Sequence, residues 1–300
     1  MVFGKSKVVL ALGGGGSRGL AHLGVVRVLE REGVPIDGIV GTSVGSILGA
    51  SYGLHPHADE LVESTLKYLR SERFMNDSFR RMMFGANDAE QNMLQVFIKN
   101  VVRGFRFTHL IRRPSILPGE KLREVVHEFV GDHSFDDMKI PFAVPTIDLR
   151  EPSEVLLSHG PLIDAVTASC SIPGFFPPVE LDGMLLADVG VISSVPVAAA
   201  REMIPGALVI AVDLSRDLER IEDIPRGWDS ILRCESIAGR KLTELALEQA
   251  DVVIRPEIGE KFWSDFSDLE KIIAAGEQET EAHLEDIQAR LRGVLRFLKK

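Results

Sequence analysis

The stretch Leu12-Gly13-Gly14-Gly15-Gly16-Ser17-Arg18-Gly19 follows Val8-Val9-Leu10-Ala11 and leads into apolar residues at helical spacing, Leu20, Leu23, Val26 and Leu29. A short apolar strand, a glycine turn and an amphipathic helix in that order predict an α/β fold with a mainly parallel sheet. Four consecutive glycines allow several backbone N–H groups to point into one concavity beside a helix N-terminus, where negative charge is favoured. The same grammar then repeats. Residues 36–40 read as a second strand, Gly41-Thr42-Ser43-Val44-Gly45 as its turn, and residues 44–52 as a small-residue helix. A serine on a tight glycine-flanked turn from strand to helix is held exposed at the top of a sheet, as a nucleophile needs to be.

Outward from these turns, strands and helices continue to alternate. Residues 141–147 and 155–157 read as paired strands around Arg150-Glu151-Pro152-Ser153, and 162–168 as a helix stopped before Pro173-Gly174. Residues 185–187 form a strand leading to Asp188, 195–203 a helix, and 207–213 an apolar parallel strand. Beyond a charged loop at 216–226 come a helix at 228–249 and a last strand at 252–254. From 268 a long helix carries Leu269, Ile272, Leu284, Ile287, Leu291 and Leu298 on one stripe, the pattern of packing onto a main domain. The expected organisation is a domain over 1–215 with a helical insertion at 67–115, and a mostly helical extension over 216–300.

Composition narrows the function classes. With 300 residues, 45% of them apolar and 26% charged, the chain reads as soluble and globular. A net charge of −10 argues against general nucleic-acid binding, because no broad face neutralises phosphates. The insertion departs from this balance: residues 67–115 hold ten Lys/Arg against four Asp/Glu, interleaved with Phe74, Phe79, Met82, Met83 and Phe84. Such a segment suits peripheral contact with an anionic membrane, and equally a helical insertion packed on the sheet. Two cysteines, Cys170 and Cys234, suggest neither a disulfide framework nor a zinc site and fit a reducing cytoplasm. The apolar run at 8–12 is too short for a signal peptide, and no run reaches the roughly 18 apolar residues of a membrane span. The chain is therefore expected in the cytoplasm, soluble or peripheral at the inner face of the membrane.

Acyl transfer needs a nucleophile, oxyanion donors and a base. The order serine, acid, histidine is disfavoured, because His283, the histidine beyond the later acids, sits among glutamates on an amphipathic helix. A carboxylate acting directly on the serine remains, and Asp188, at a strand end before Val189-Gly190, has the setting for it; a turn-forming aspartate is the other reading. A nucleotide site is the weaker rival, since Gly41-Thr42-Ser43 stands where a dinucleotide fold carries its ribose-binding acid. Cys170 reads as a small structural residue.

Together, Gly14-x-Gly16-x-x-Gly19, Gly41-Thr42-Ser43-Val44-Gly45, Ala168-Ser169-Cys170-Ser171-Ile172-Pro173-Gly174-Phe175-Phe176-Pro177-Pro178 and Asp188-x-Gly190 resemble, in order, the motifs of patatin-like phospholipases. Bacterial members of the neuropathy-target-esterase branch are most similar, over roughly residues 7–213. The resemblance implies a three-layer α/β/α fold and hydrolysis of lipid acyl esters by a Ser-Asp dyad, without metal or cofactor. Ser43 would be the nucleophile and Asp188 its base. The N–H groups of Gly14, Gly15 and Gly16 would form the oxyanion hole beside Arg18, with Gly19, Gly41, Gly45 and Gly190 as motif glycines. Val189 stands where the family usually has glycine, and Ser193-Ser194 where asparagines are common. A positive φ at 189 would strain valine and displace Asp188, which favours a non-catalytic regulatory or adaptor member that binds lipid or a protein partner.

Overall fold

The structure is a computed structural model that describes residues 7–76, 115–215, 218, 220–224, 227–259 and 268–293. Every residue of β1 (Val8–Leu12) and β7 (Leu208–Val212) is buried, as befits parallel strands covered on both faces. β1 pairs with β7 on one side and with β2 (Gly38–Gly41) on the other, both in parallel. β3 (Phe142–Asp148) extends the sheet beyond β2, and β8 (Val252–Ile254) extends it beyond β7, again in parallel. The far edge is antiparallel. β4 (Ser153–Leu157) forms the expected hairpin with β3, while β6 (Met184–Ala187) pairs with β3 and with β5 (Val179–Leu181). The sequence reading missed β5, whose three residues are too few to show a period.

Side chains alternate across this sheet and so build two unequal cores. Val8, Leu10 and Leu12 face a large cluster with α1 (Ala21–Arg31), α2 (Val44–Leu54), α3 (Ala58–Leu69), α5 (Gly119–Val130), α6 (Leu162–Ser169) and α9 (Leu269–Leu291). The short α4 (Glu72–Asn76) follows α3 on that side and adds Phe74. Val9 and Ala11 face a thinner layer made by α7 (Val197–Met203) and the end of α8 (Gly227–Leu247). The three-layer expectation is met.

The stripe predicted on the last helix packs against α1. A Cβ at Gly24 would lie 2.1 Å from the Ile273 carbonyl oxygen, and one at Gly276 would lie 2.1 Å from that of Ala21. Backbone therefore meets backbone, and ion pairs Arg27–Glu277 (2.8 Å) and Arg31–Glu281 (2.7 Å) flank the contact. Leu298 and most of the basic insertion, 77–114, lie outside the described residues.

From β1 the chain moves to β2 and β3 on one side and later to β7 and β8 on the other. That reversal opens a crevice at the carboxyl ends of the parallel strands, where open α/β sheets bind ligands. The glycine run leaves β1 there.

Candidate active site

Ser43 caps the N-terminus of α2 with φ 54° and ψ −125°, a strained conformation for a residue with a side chain. Close packing behind the turn holds it. A Cβ at Gly45 would lie 2.3 Å from the Leu12 carbonyl oxygen, so α2 starts hard against the end of β1 only because that residue is glycine. The Ser43 N–H donates to Ser169 Oγ (2.9 Å), and its carbonyl accepts from Ser46 N–H (2.8 Å) and Ser46 Oγ (2.6 Å). With its backbone fixed from both sides, Ser43 presents its hydroxyl to the crevice.

Asp188 follows β6 and is 4% exposed. Its N–H donates to the Ser171 carbonyl (3.0 Å), and its Oδ1 accepts from Gly190 N–H (2.7 Å). The Ser43 side chain lines the same cavity as this carboxyl and acts on its titration. Burial raises the Asp188 pKa from the ordinary 3.8 to about 6, against the opposing pull of the Gly190 N–H and the Ser43 side chain. A carboxylate poised there is a far better base than one in water.

The strain expected at Val189 is absent. Among the described residues Ser43, Asp182 and Asp268 are the non-glycine positions with positive φ, and Val189 instead enters a short 3-10 turn with its side chain fully buried. The serines at 193–194 are accommodated as well. The Ser194 backbone carbonyl accepts from Gly14 N–H (2.9 Å), and its hydroxyl meets Thr243 Oγ1 on α8 (2.8 Å).

That Gly14 bond corrects the expected oxyanion hole. A Cβ at Gly14 would lie 3.4 Å from Ser43 Cβ, so the loop is beside the serine as anticipated, but the Gly14 N–H is engaged by Ser194 and cannot serve an oxyanion. Among the described residues the N–H groups of Gly15 and Gly16 have no acceptor. Gly16 has φ 59°, and Arg18 folds back to donate from Nε to the Gly15 carbonyl (3.3 Å). Gly19 allows the helical turn after the loop to meet Val44, where a Cβ would lie 2.4 Å from Val44 Cγ2.

Two further residues, His22 and Ser169, shape the site without having been singled out for it, and Cys170 lies beside Ser169 as a small buried residue. His22 on α1 is 1% exposed and lies 2.8 Å, through Nε2, from the Gly13 carbonyl; burial lowers its pKa to about 4, so it is the neutral imidazole that donates. Its trace in the sequence is a histidine inside the apolar stripe of α1. Ser169 anchors the Ser43 amide. Cys170, buried beside Ser46 (3.8 Å), has its thiol pushed up, first by burial and then by the Asp188 charge, and stays protonated.

Ser43, Asp188 and Gly14–Gly16 line a cavity of 460 Å³ whose walls are otherwise mostly apolar, among them Ile47, Leu48, Leu122, Val125 and Phe176. A volume of that size fits a small ligand or a single extended chain. Among the described residues no three His, Cys, Asp or Glu side chains gather as a metal site would require, and no helix is long and apolar enough to cross a membrane.

Residues 10–201 match the patatin-like phospholipase family. The chain belongs to that family. Among patatin-like relatives, an uncharacterised NTE family protein of Mycobacterium tuberculosis is 31% identical over 209 residues, covering 70% of this chain and 49% of the relative. Human patatin-like phospholipase domain-containing protein 6 is 28% identical over 228 residues, 74% of this chain and 14% of that one. Neuropathy target esterase sws of Drosophila melanogaster is 27% identical over 229 residues, with the same two shares. The chain thus spans about half the length of the mycobacterial relative and far less of the animal ones. The crystal structure of VipD from Legionella pneumophila superposes with a TM-score of 0.50 at 14% identity, covering 94% of this chain and 67% of that one. That likeness bears on the fold alone.

Proposed function

We infer that this chain is a serine acyl hydrolase acting on lipid esters, of the phospholipase A, lysophospholipase or carboxylesterase type. The observation that carries the reading is a strained serine that shares an apolar cavity with a buried carboxylate of raised pKa and with two acceptor-free amides. Membership of a phospholipase family supports it.

In the proposed reaction Asp188 takes the Ser43 proton as Oγ bonds to the ester carbonyl carbon, and the carbonyl electron pair moves onto oxygen. The Gly15 and Gly16 amides stabilise that oxyanion; one such donor contributes about 2.7–4 kcal/mol. Collapse breaks the ester bond, and the leaving alcohol or lysolipid takes the proton from Asp188. Water then attacks the acyl-serine, giving its proton to Asp188, and the fatty acid departs as Ser43 regains its hydrogen. Arg18 and His22 hold the loop that carries the donors, through the carbonyls of Gly15 and Gly13. Each step uses only side chains and amides of this chain.

Fluorophosphonate labelling tests this directly. The folded wild-type protein should be labelled on one serine and Ser43→Ala on none; a folded wild type that stays unlabelled, or a variant that still reacts, sinks the reading. The Lys/Arg-rich segment 67–115 is proposed to bring the site to anionic lipid. Co-sedimentation should then rise with the anionic fraction of the vesicles, and binding indifferent to that fraction removes the idea.

A further inference from the structure

Behind the catalytic cavity lies a second one of 540 Å³, with a different character: Ser51, His55, Glu60, Lys67, Arg73 and Glu128 are among its lining. Tyr68 and Phe129 line both cavities. Their rings meet edge to face, 5.4 Å apart at 83°, with Phe74 against Tyr68 at 5.4 Å.

Three helices run past this wall. On α2 the stripe Val44, Ile47 and Leu48 lines the catalytic cavity, and Ser51 and His55, on the following turn and just past the helix end, line the second. On α3 the two linings interleave, Thr65 and Leu69 on the catalytic cavity and Ser64 and Lys67 on the second, with Tyr68 shared, and on α5 the change comes at Phe129 after Leu122 and Val125. Ser51 Oγ donates to the Phe129 carbonyl (2.9 Å), which fixes α5, and the ring it carries, at a set depth along α2. From Ser43 to Ser51 the helix rises about 12 Å at ~1.5 Å per residue.

We propose that the Tyr68–Phe129 pair is the end-stop of an acyl channel running along α2 from Ser43, and that it sets the chain length the enzyme hydrolyses best. This rests on the hydrolase reading above. A zigzag alkyl chain advances about 1.3 Å per carbon, the projection of a ~1.5 Å C–C bond, so about 12 Å accommodates roughly nine or ten carbons. Beyond the rings, a longer chain meets the polar lining of the second cavity only if the wall is removed.

The test is kcat/KM over a series of p-nitrophenyl esters from butyryl to palmitoyl, with active sites counted by fluorophosphonate labelling. The wild type should peak near decanoyl and fall towards palmitoyl. A profile still rising at palmitoyl overturns the proposal without any variant. Tyr68→Ala and Phe129→Ala, singly and together, should raise the palmitoyl-to-decanoyl ratio at least about tenfold, since a misfitted methylene alone discriminates by that order. Tyr68→Phe, which keeps the ring, should hold the wild-type ratio, and Phe129→Leu should move it part of the way should the alanine variants not fold. Labelled variants with an unshifted ratio overturn the end-stop and leave the hydrolase reading standing. A folded wild type that is not labelled at all removes both.

Discussion

At the carboxyl end of β2 the chain turns at Ser43 with φ 54°, wedged by glycines on both sides; at the end of β6 it turns at Asp188 with φ −61° and ψ 123°, followed by a buried valine. One turn stores strain and is held by sterics, with no space for a Cβ at Gly45. The other is relaxed, and a hydrogen bond from the Gly190 N–H holds its carboxyl in a desolvated place. The serine half of the site therefore tolerates little change in backbone shape, whereas the aspartate half is sensitive to charge and accommodates a valine at 189 without strain.

Charge on the aspartate side should give the largest effect. Asp188→Asn keeps the shape and removes the base, and kcat/KM should drop about 10²- to 10⁴-fold. The same variant should melt a few degrees higher at neutral pH. With its pKa raised to about 6, the folded state holds this proton more tightly than the unfolded chain does, so the contribution of Asp188 to stability is full below the unfolded value near 3.8 and lost as pH rises through 6. Calorimetry that finds the variant less stable at pH 7 contradicts the desolvation argument. Consistently, wild-type kcat/KM should fall about tenfold per pH unit below 6, and a profile flat to pH 4 means that another group is the base.

The backbone comparison follows. Gly45→Ala forces a Cβ against the Leu12 carbonyl and should cost about 3 kcal/mol or more, read as a lowered denaturation midpoint. Val189→Gly should lose about 2 kcal/mol of apolar burial and change kcat/KM by no more than about threefold. Equal damage to catalysis from both would erase the distinction between the two turns.

What was legible beforehand divides along the same line. The Ser43 turn could be read because glycine at 41 and 45 reports local backbone geometry, and β1, β2 and β7 could be read because strands buried on both faces are continuously apolar. The place of Asp188 after a strand could be read from the apolar run before it and from the order of motifs. The strain expected at Val189 was a false inference, since a missing glycine says nothing about φ unless the turn needs a positive one. Gly14 was misassigned because the state of its amide depends on Ser194, 180 positions away in sequence, which no local pattern records. His22 and Ser169 were hidden for a related reason: each acts through one hydrogen bond to a backbone atom, and hydrogen bonds of that kind leave no period. The wall between the two cavities exists only once α2, α3 and α5 are packed together.

The glycine contact between α1 and α9 bears on where this protein's boundaries lie. His22, which lies against the Gly13 carbonyl, rides on α1, and the outer side of that helix is closed by a segment beyond residues 10–201, the span that matches the family. A fragment trimmed to residues 10–201 would lack β7 and β8, turn β1 from a central strand into an edge, and bare the Ala21 carbonyl that Gly276 now covers. Strands and a helix that lie after the family match thus complete the sheet and close the helix that carries His22.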